Sequence, residues 1–384
     1  MLIFAFICNK NILYLIIYSI NSFYHAITLQ LKGGTLMFKK AISVATSLAL
    51  SCLCFTGCTS DDTKELDKIT IAEVAHSVFY APQYAAITQG FFEEEGIEVD
   101  IINANGADKT MAALISGEAQ IGLMGPEASI YVYNQGSEDY AVNFAQLTKR
   151  DGSFIVSKEK IDNFSYEDLK GKEILGGRKG GMPLMTLEYV IKQNGLTIAE
   201  NDDSADVNVR TDIQFGAMAG AFAGGEGDFT TAFEPTATAL ELAGNGYVVA
   251  SVGEDSGEIP YTAYSVTKSY LAENEDLIQR FTNALYKGQQ WCQSASSEEV
   301  AKAMQPFFND LSLDELIIVV DSYREIDAWC SDPVLTEESL NRLMTVMKDA
   351  GELDKEAPYE DIVNTEFATK AIENNNYKVS HQTR

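Results

Sequence analysis

The stretch ITIAEVAHSVFYAPQYAAITQGFFEEEGIEVDII, residues 69–102, decides the fold. ITIAEV alternates β-branched and small residues, as a strand does. AHSVFY is a polar and aromatic loop. Pro82 then takes the first position of a helix, PQYAAITQGFF, whose apolar residues recur at helical spacing. Gly90 and Gly96 flank an acidic EEE run that reads as a solvated helix end, and IEVDII returns to strand alternation. Strand, helix and strand over this length predict a right-handed parallel βαβ unit. Ligands of open α/β sheets sit in loops at the carboxyl ends of strands. His76, Ser77, Phe79 and Tyr80 occupy such a loop.

The same pattern recurs downstream. A polar loop around Gly106, holding Asn105, precedes a helix ADKTMAALIS that stops at Gly117; AQIGLMG is a third strand, ASIYVYNQ a helix, and YAVNFAQLT a fourth strand. KRDGS is a turn-rich break, after which a second run of strands and helices extends from about residue 154 to 253. In it the helix behind Pro183 carries Leu184, Leu187, Val190 and Ile191 on one face. YTAYSVT is an extended return segment. The remaining chain reads as helices, with capping-box spacings at Ser296 and Glu299 and at Ser312 and Glu315, and Gly351 past a helix end. The expectation is an α/β protein of two lobes, each a mostly parallel sheet flanked by helices. Residues 69–153 plus 259–384 form the first lobe, with the C-terminal helices packed on it, and residues 154–258 form the second. Two lobes joined by two crossings make a hinged clamshell with a cleft between them.

The N-terminal part has a different character. MFKKAISVATSLALSCLCFTGC, residues 37–58, has the basic start, apolar middle and small-residue end of a secretory signal. FTGC resembles a bacterial lipobox, with Phe55 in place of the usual leucine, and makes Cys58 the lipidation site; an ordinary signal peptide with an incidental cysteine is the other reading. Residues 58–68 are then a polar tether. Residues 1–36 precede a complete signal, and the codons for Lys32, Gly33 and Gly34 can spell a purine-rich ribosome-binding sequence. They read as an over-extended gene start, with a membrane helix within residues 12–31 as the rival. Processing at Cys58 leaves 24 basic against 56 acidic residues, a formal charge of −32, which disfavours nucleic acid and anionic lipid headgroups as partners. Cys292 and Cys330 remain as an even pair, open to a disulfide or to two buried thiols.

Four loops are expected to face the cleft. In the first, Phe79 and Tyr80 suit stacking on a planar ligand, and His76 is either a ligand contact or a hydrogen-bonded structural residue. In the second, after Met124, Glu127 stands at a helix start, where the macrodipole favours a carboxylate whatever its task. The third is the loop 176–181, where Gly177, Gly180 and Gly181 surround Arg178 and Lys179, a recipe for an anion or an exposed basic turn. It lacks the spacing of a nucleotide P-loop. In the fourth, Phe233 and Glu234 precede a helix, and Tyr261 follows the return crossing. Beyond residue 58 no H-E-x-x-H, CxxC pair or nucleophile elbow occurs and two histidines remain. The expectation is therefore no enzyme, no metal and no cofactor.

Behind the lipobox, the phrases HSVFYAPQYAAITQGFFEEEGIEVDI, ALISGEAQIGLMGPEA, YEDLKGKEI and AFEPTA resemble the solute-binding lipoproteins of ABC importers. They are most similar to the branch that binds thiamine-precursor pyrimidines, aliphatic sulfonates, nitrate and riboflavin. The resemblance covers residues 68–258 and, more loosely, the C-terminal helices. It implies a periplasmic-binding-protein-like clamshell of type II and a small molecule captured between the lobes. It further implies an extracytoplasmic lipid anchor in the cell membrane, an ABC permease and its ATPase as partners, and a monomer. Within that branch, Glu127 and Glu234 suit exocyclic amino groups and Phe79, Tyr80 and Tyr261 suit stacking, which favours a thiamine-type pyrimidine. A sulfonate such as taurine gripped by the loop 176–181 is the alternative, and a ligand sensor for a membrane receptor is a third reading. A related pyrimidine synthase carries a cysteine-rich motif that this chain lacks after residue 58.

Overall fold

The computed structural model describes residues 65–382. The expected gene-start extension, the expected signal, Cys58 and most of the expected tether lie outside the described residues. Among these, the strands are β1 (Asp67–Glu73), β2 (Ile97–Asn103), β3 (Ile121–Met124), β4 (Ala141–Thr148), β5 (Ser153–Ser157), β6 (Lys172–Leu175), β7 (Ile198–Glu200), β8 (Val207–Arg210), β9 (Phe229–Phe233), β10 (Tyr247–Ser251) and β11 (Thr262–Thr267).

The opening stretch folds as its pattern requires. β1 and β2 pair in parallel from Asp67 opposite Ile97 to Glu73 opposite Asn103. The helix Ala81–Thr88 between them carries Pro82 as its second residue, and Gly90 and Gly96 take the left-handed conformation at φ of 77° and 76° that ends each helical piece. The first sheet has the order β2-β1-β3-β11-β4 and the second β10-β5-β9-β6-β8-β7. Both are mixed. β11 runs antiparallel to β3 and β4, and β5 antiparallel to β9 and β10.

These two strands are the ones that follow each crossing, and the reason is geometric. The loops at the carboxyl ends of β1 and β9 meet, since the rings of Phe79 and Phe233 lie 5.8 Å apart. Carboxyl ends of both sheets therefore point at the cleft. A chain leaving β4 at the cleft enters the second sheet at its cleft edge and must run away from it. The same holds for β10 into β11.

Helix Glu275–Ser294 packs on helix Ala81–Thr88 with the backbones almost touching: a Cβ on Gly288 would lie 2.6 Å from the Pro82 carbonyl oxygen. Its Lys287 binds Glu94 at 3.0 Å and Glu95 at 2.9 Å, and Arg280 donates to the Glu95 carbonyl at 2.9 Å. The EEE run is thus a docking point for a C-terminal helix and not a solvated end. Both capping boxes form as read. The C-terminal segment also reaches the second lobe, where Lys192 donates to the Asp349 carbonyl at 2.6 Å. The second lobe's own core holds Ile174, Leu187, Val190, Ile191, Val207 and Val209. β7 is an edge strand of three residues, too short to show alternation. Cys292 and Cys330 are free, buried thiols, the second of the two outcomes left open by their number. No helix among the described residues is long and apolar enough to cross a membrane.

The candidate ligand cleft

β1 ends at Glu73, and Ser77 caps a short 3-10 turn, Val78–Tyr80, by accepting the Phe79 N–H at 3.2 Å. The turn drives Phe79 and Tyr80 inward, to 1% and 4% exposure. Phe79 is the hub of an aromatic cluster drawn from four parts of the chain. Its ring centroid lies 5.8 Å from Tyr80, 5.8 Å from Phe233, 5.8 Å from Tyr261 and 5.0 Å from Tyr323 of helix Leu313–Glu325. These are edge and tilted contacts, the arrangement that ring quadrupoles favour. Trp329 fixes the turn by donating its indole N–H to the Phe79 carbonyl at 2.9 Å. At Gly152, in the first crossing, a Cβ would meet the Phe79 ring at 2.7 Å and the Phe233 ring at 2.9 Å, so glycine lets both rings close on the hinge.

Within this apolar surround stand two buried acidic groups, one of which, Asp151, has Arg150 as its chain neighbour. Glu127 opens helix Glu127–Asn134 and is 3% exposed; its Oε2 has no hydrogen-bond partner. Burial pushes its carboxyl up to about 7 against the opposing pull of the N–H groups of Glu127 and Ala128. Asp151, in the first crossing, is fully buried. Oδ1 accepts the Ser153 N–H at 2.7 Å, but Oδ2 has no partner. Burial pushes this carboxyl too up to about 7, with Ser153, Tyr261 and Thr186 opposing. The Ser153 Oγ and Tyr261 Oη are likewise buried and unpartnered. Burial raises the Tyr261 phenol most, with the charge and hydrogen bond of Asp151 next and the charge of Glu127 after them. A buried polar atom without a partner costs about 1–3 kcal/mol. Several such groups in one protein call for an explanation, which a bound ligand can supply.

The structure places the other sequence candidates elsewhere. His76 is structural: Nδ1 lies 2.8 Å from Glu73, Nε2 2.9 Å from the Phe307 carbonyl, and the ring stacks on Phe308 at 4.5 Å. The hydrogen bond to Glu73 raises its pKa, as expected where both ring nitrogens donate. Ser77 is spent on its cap. Asn105 sits at φ 58° with its side chain turned back on the Asn103 carbonyl at 3.4 Å, and Met124 is core, folded over Gly122. Glu234 is buried, but both its oxygens serve Thr238, accepting its N–H at 3.0 Å and its hydroxyl at 2.9 Å. It caps its own helix.

In the loop 176–181 both cations are already paired with acids. Arg178 is exposed and pairs with Asp108 of the first lobe at 2.9 Å; Lys179 is exposed and pairs with Glu200 at 2.8 Å. The Gly181 N–H goes to the Arg178 carbonyl and the Gly180 carbonyl accepts from Tyr131. Gly177 packs on Met218 and Phe215. The loop therefore faces helix Ala107–Ser116 and Tyr131. A cavity of about 480 Å³ beside Glu188, Lys192 and Glu200 lies outside this cluster and has no aromatic lining. Asp151 was the functional candidate that the sequence hid inside KRDGS. The signal was topological: a crossing between lobes is bound to lie at the cleft floor.

The model of the family described as NMT1/THI5 like matches residues 78–298, more than half of the chain. The chain belongs to that family. YtlA of Bacillus subtilis (strain 168), which carries the name of a binding protein, is 43% identical over 313 residues, 82% of this chain and 92% of that one. Among solved structures, the alkanesulfonate-binding protein SsuA of Xanthomonas axonopodis pv. citri superposes with a TM-score of 0.62 at 16% identity, covering 79% of this chain and 100% of that one. The nitrate-binding protein NrtA of Synechocystis PCC 6803 does so with a TM-score of 0.60 at 14% identity, over 80% and 89%. At such identities the likeness is one of fold: the two-lobed periplasmic-binding-protein architecture read from the sequence.

Proposed function

We propose that this NMT1/THI5-like protein is the extracytoplasmic solute-binding component of an ABC importer, held at the membrane through Cys58. It closes over a planar amino heterocycle of the thiamine-precursor pyrimidine type and delivers it to a permease. The observation that carries the ligand class is the pairing of aromatic rings, the buried Phe79, Tyr80 and Tyr261 and the half-buried Phe233, with a buried acceptor at Glu127. Rings give a flat ligand stacking surfaces, and a carboxylate oxygen without a partner takes an exocyclic N–H. Closure follows as a population shift, because contacts from both lobes exist only in the closed form.

Anion binding, as the names of SsuA and NrtA describe for those proteins, is the second reading. One observation favours it: the Nε of Arg150, beside the hinge, is buried without a partner. Its Nη1 donates to the Gly253 carbonyl at 3.2 Å. An anion held there would stand beside Asp151, the chain neighbour of Arg150, in a surround of low polarity where like charges repel strongly. A thermal-shift screen separates the readings. A hydroxymethyl aminopyrimidine at about 100 times its Kd adds about 2.7 kcal/mol of stability. A shift with taurine or nitrate and none with any aminopyrimidine would reverse the choice.

A further inference from the structure

His76 lies outside the aromatic cluster, yet it joins two of the parts that build it. We propose that His76 is a positioning residue: its imidazolium ties the first cleft loop to the turn 305–311 and holds helix Leu313–Glu325 in place, so that ligand binding depends on one proton. This rests on the reading of the cleft as the ligand site and adds its regulation by pH.

The ring stands between two acceptors. Nδ1 lies 2.8 Å from Glu73 Oε1 and Nε2 lies 2.9 Å from the Phe307 carbonyl oxygen, which can only accept. Glu73 is fully buried and collects donors, Gln83 Nε2 at 3.1 Å and the Tyr84 hydroxyl at 2.9 Å. Tyr264 in turn donates to Gln83 Oε1 at 3.0 Å. The single Tyr84 proton goes to that carboxylate, so Nδ1 must donate, and Nε2 must donate as well. Only the doubly protonated ring does both. The turn it holds stacks Phe308 on the imidazole and packs Phe307 on Tyr84, with ring centroids 4.5 and 4.7 Å apart. Two residues past Asp310, Ser312 caps helix Leu313–Glu325. That helix carries Tyr323, whose ring lies 5.0 Å from Phe79 and whose hydroxyl accepts the Glu234 N–H, just past β9 of the second sheet, at 3.1 Å. The joint therefore sets an element that touches both sides of the cleft.

The titratable and charged groups facing the ring are Glu73 at the end of β1, Tyr84 on helix Ala81–Thr88 and Asp310 in the turn. The hydrogen bond to Glu73 raises the ring's pKa above its ordinary value; burial opposes, and the Phe307 carbonyl and the charges of Glu73 and Asp310 add to the rise. The joint is thus fully made below the ordinary histidine range, about 6.5, and is lost as pH rises through the raised value. A neutral ring has one N–H for two acceptors. Glu73, sealed from water, keeps it, and water takes the Phe307 carbonyl, since the His76 side chain is 37% exposed.

Histidine-ring nitrogen spectra, assigned to His76 by the signal lost in His76→Gln, are expected to show two N–H groups at about pH 6 and one above the titration. Amide exchange in residues 307–325, corrected for its intrinsic pH dependence, is expected to rise at that same titration in the wild type and to show no step in His76→Gln. The wild-type pair of curves stands even if the variant folds poorly. Calorimetry with the hydroxymethyl aminopyrimidine then gives the ratio of wild-type to variant affinity, from which the titrations of Glu127 and Asp151 cancel. A ratio of about tenfold at pH 6, shrinking to within about twofold at pH 8.5, is expected. A single ring N–H at pH 6, no exchange step at the ring titration, or a ratio that does not change with pH overturns the inference and leaves the heterocycle reading intact. If no aminopyrimidine binds but taurine or nitrate does, with the pH-dependent ratio, the heterocycle reading falls and the joint stands. If none binds, the exchange step decides it.

Discussion

A carboxylate buried without a cation penalises the ligand-free fold whenever it is ionised. Glu127 and Asp151 have folded-state pKa values raised to about 7, so their stabilising contribution is fully present below the unfolded carboxylate range and is lost as pH rises towards 7. For Glu127 the rise from 4.5 corresponds to about 3 kcal/mol lost across that window. Differential scanning fluorimetry of the ligand-free protein is expected to show Tm falling from pH 5 to pH 8. Glu127→Gln and Asp151→Asn are expected to flatten that slope, raise Tm at pH 8 and weaken ligand binding, the usual trade of stability for function at a site. An unchanged slope in both variants would show that these carboxyls are solvated. At this scale the sequence was only partly legible. His76, Glu127 and Glu234 all stood in loops at strand ends, and composition cannot say which polar group the fold consumes. His76 goes to Glu73 and Phe307, and Glu234 to Thr238; Glu127 alone keeps a free oxygen. Asp151 was hidden because a turn sequence does not reveal whether it faces water or the cleft.

At the scale of elements, the loop 176–181 carries two cations that are already paired with acids. Arg178 and Asp108 join the lobes through an exposed pair, and such pairs contribute about 0–1 kcal/mol. Arg178→Ala is expected to weaken ligand binding less than about fivefold, and more at low salt than at high salt. A loss of a hundredfold would return the loop to the ligand site. The hinge is less tolerant. A Cβ on Gly253 would lie 2.0 Å from the Asp151 carbonyl oxygen, against backbone that cannot swing aside. Gly253→Ala must push the two crossings apart, and denaturant unfolding is expected to show a loss of about 1–3 kcal/mol or more. Wild-type stability there would mean that the crossings separate freely. The helices and the strands of the opening unit were legible because apolar period and glycine stops agree. The antiparallel direction of β5 and β11 was not, since alternation looks the same in either sense. It follows from where the crossings lie.

At the scale of the molecule, one junction holds the first sheet's loops, the second sheet's Phe233, both crossings and the C-terminal helix carrying Tyr323. A ligand seated there touches every body that moves, which is how binding can select the closed form that a permease would recognise. The excess of acidic residues bears on this little, because it lies mostly on the surface and is screened by salt over about 8 Å. The local chemistry of the cleft decides. The most direct test is a crystal structure of the protein with the hydroxymethyl aminopyrimidine bound. The account predicts the ring stacked within the Phe79, Tyr80 and Tyr261 cluster, with an exocyclic nitrogen about 3 Å from Glu127 Oε2. A ligand held instead by the loop 176–181 or by Arg150, with Glu127 untouched, would contradict it.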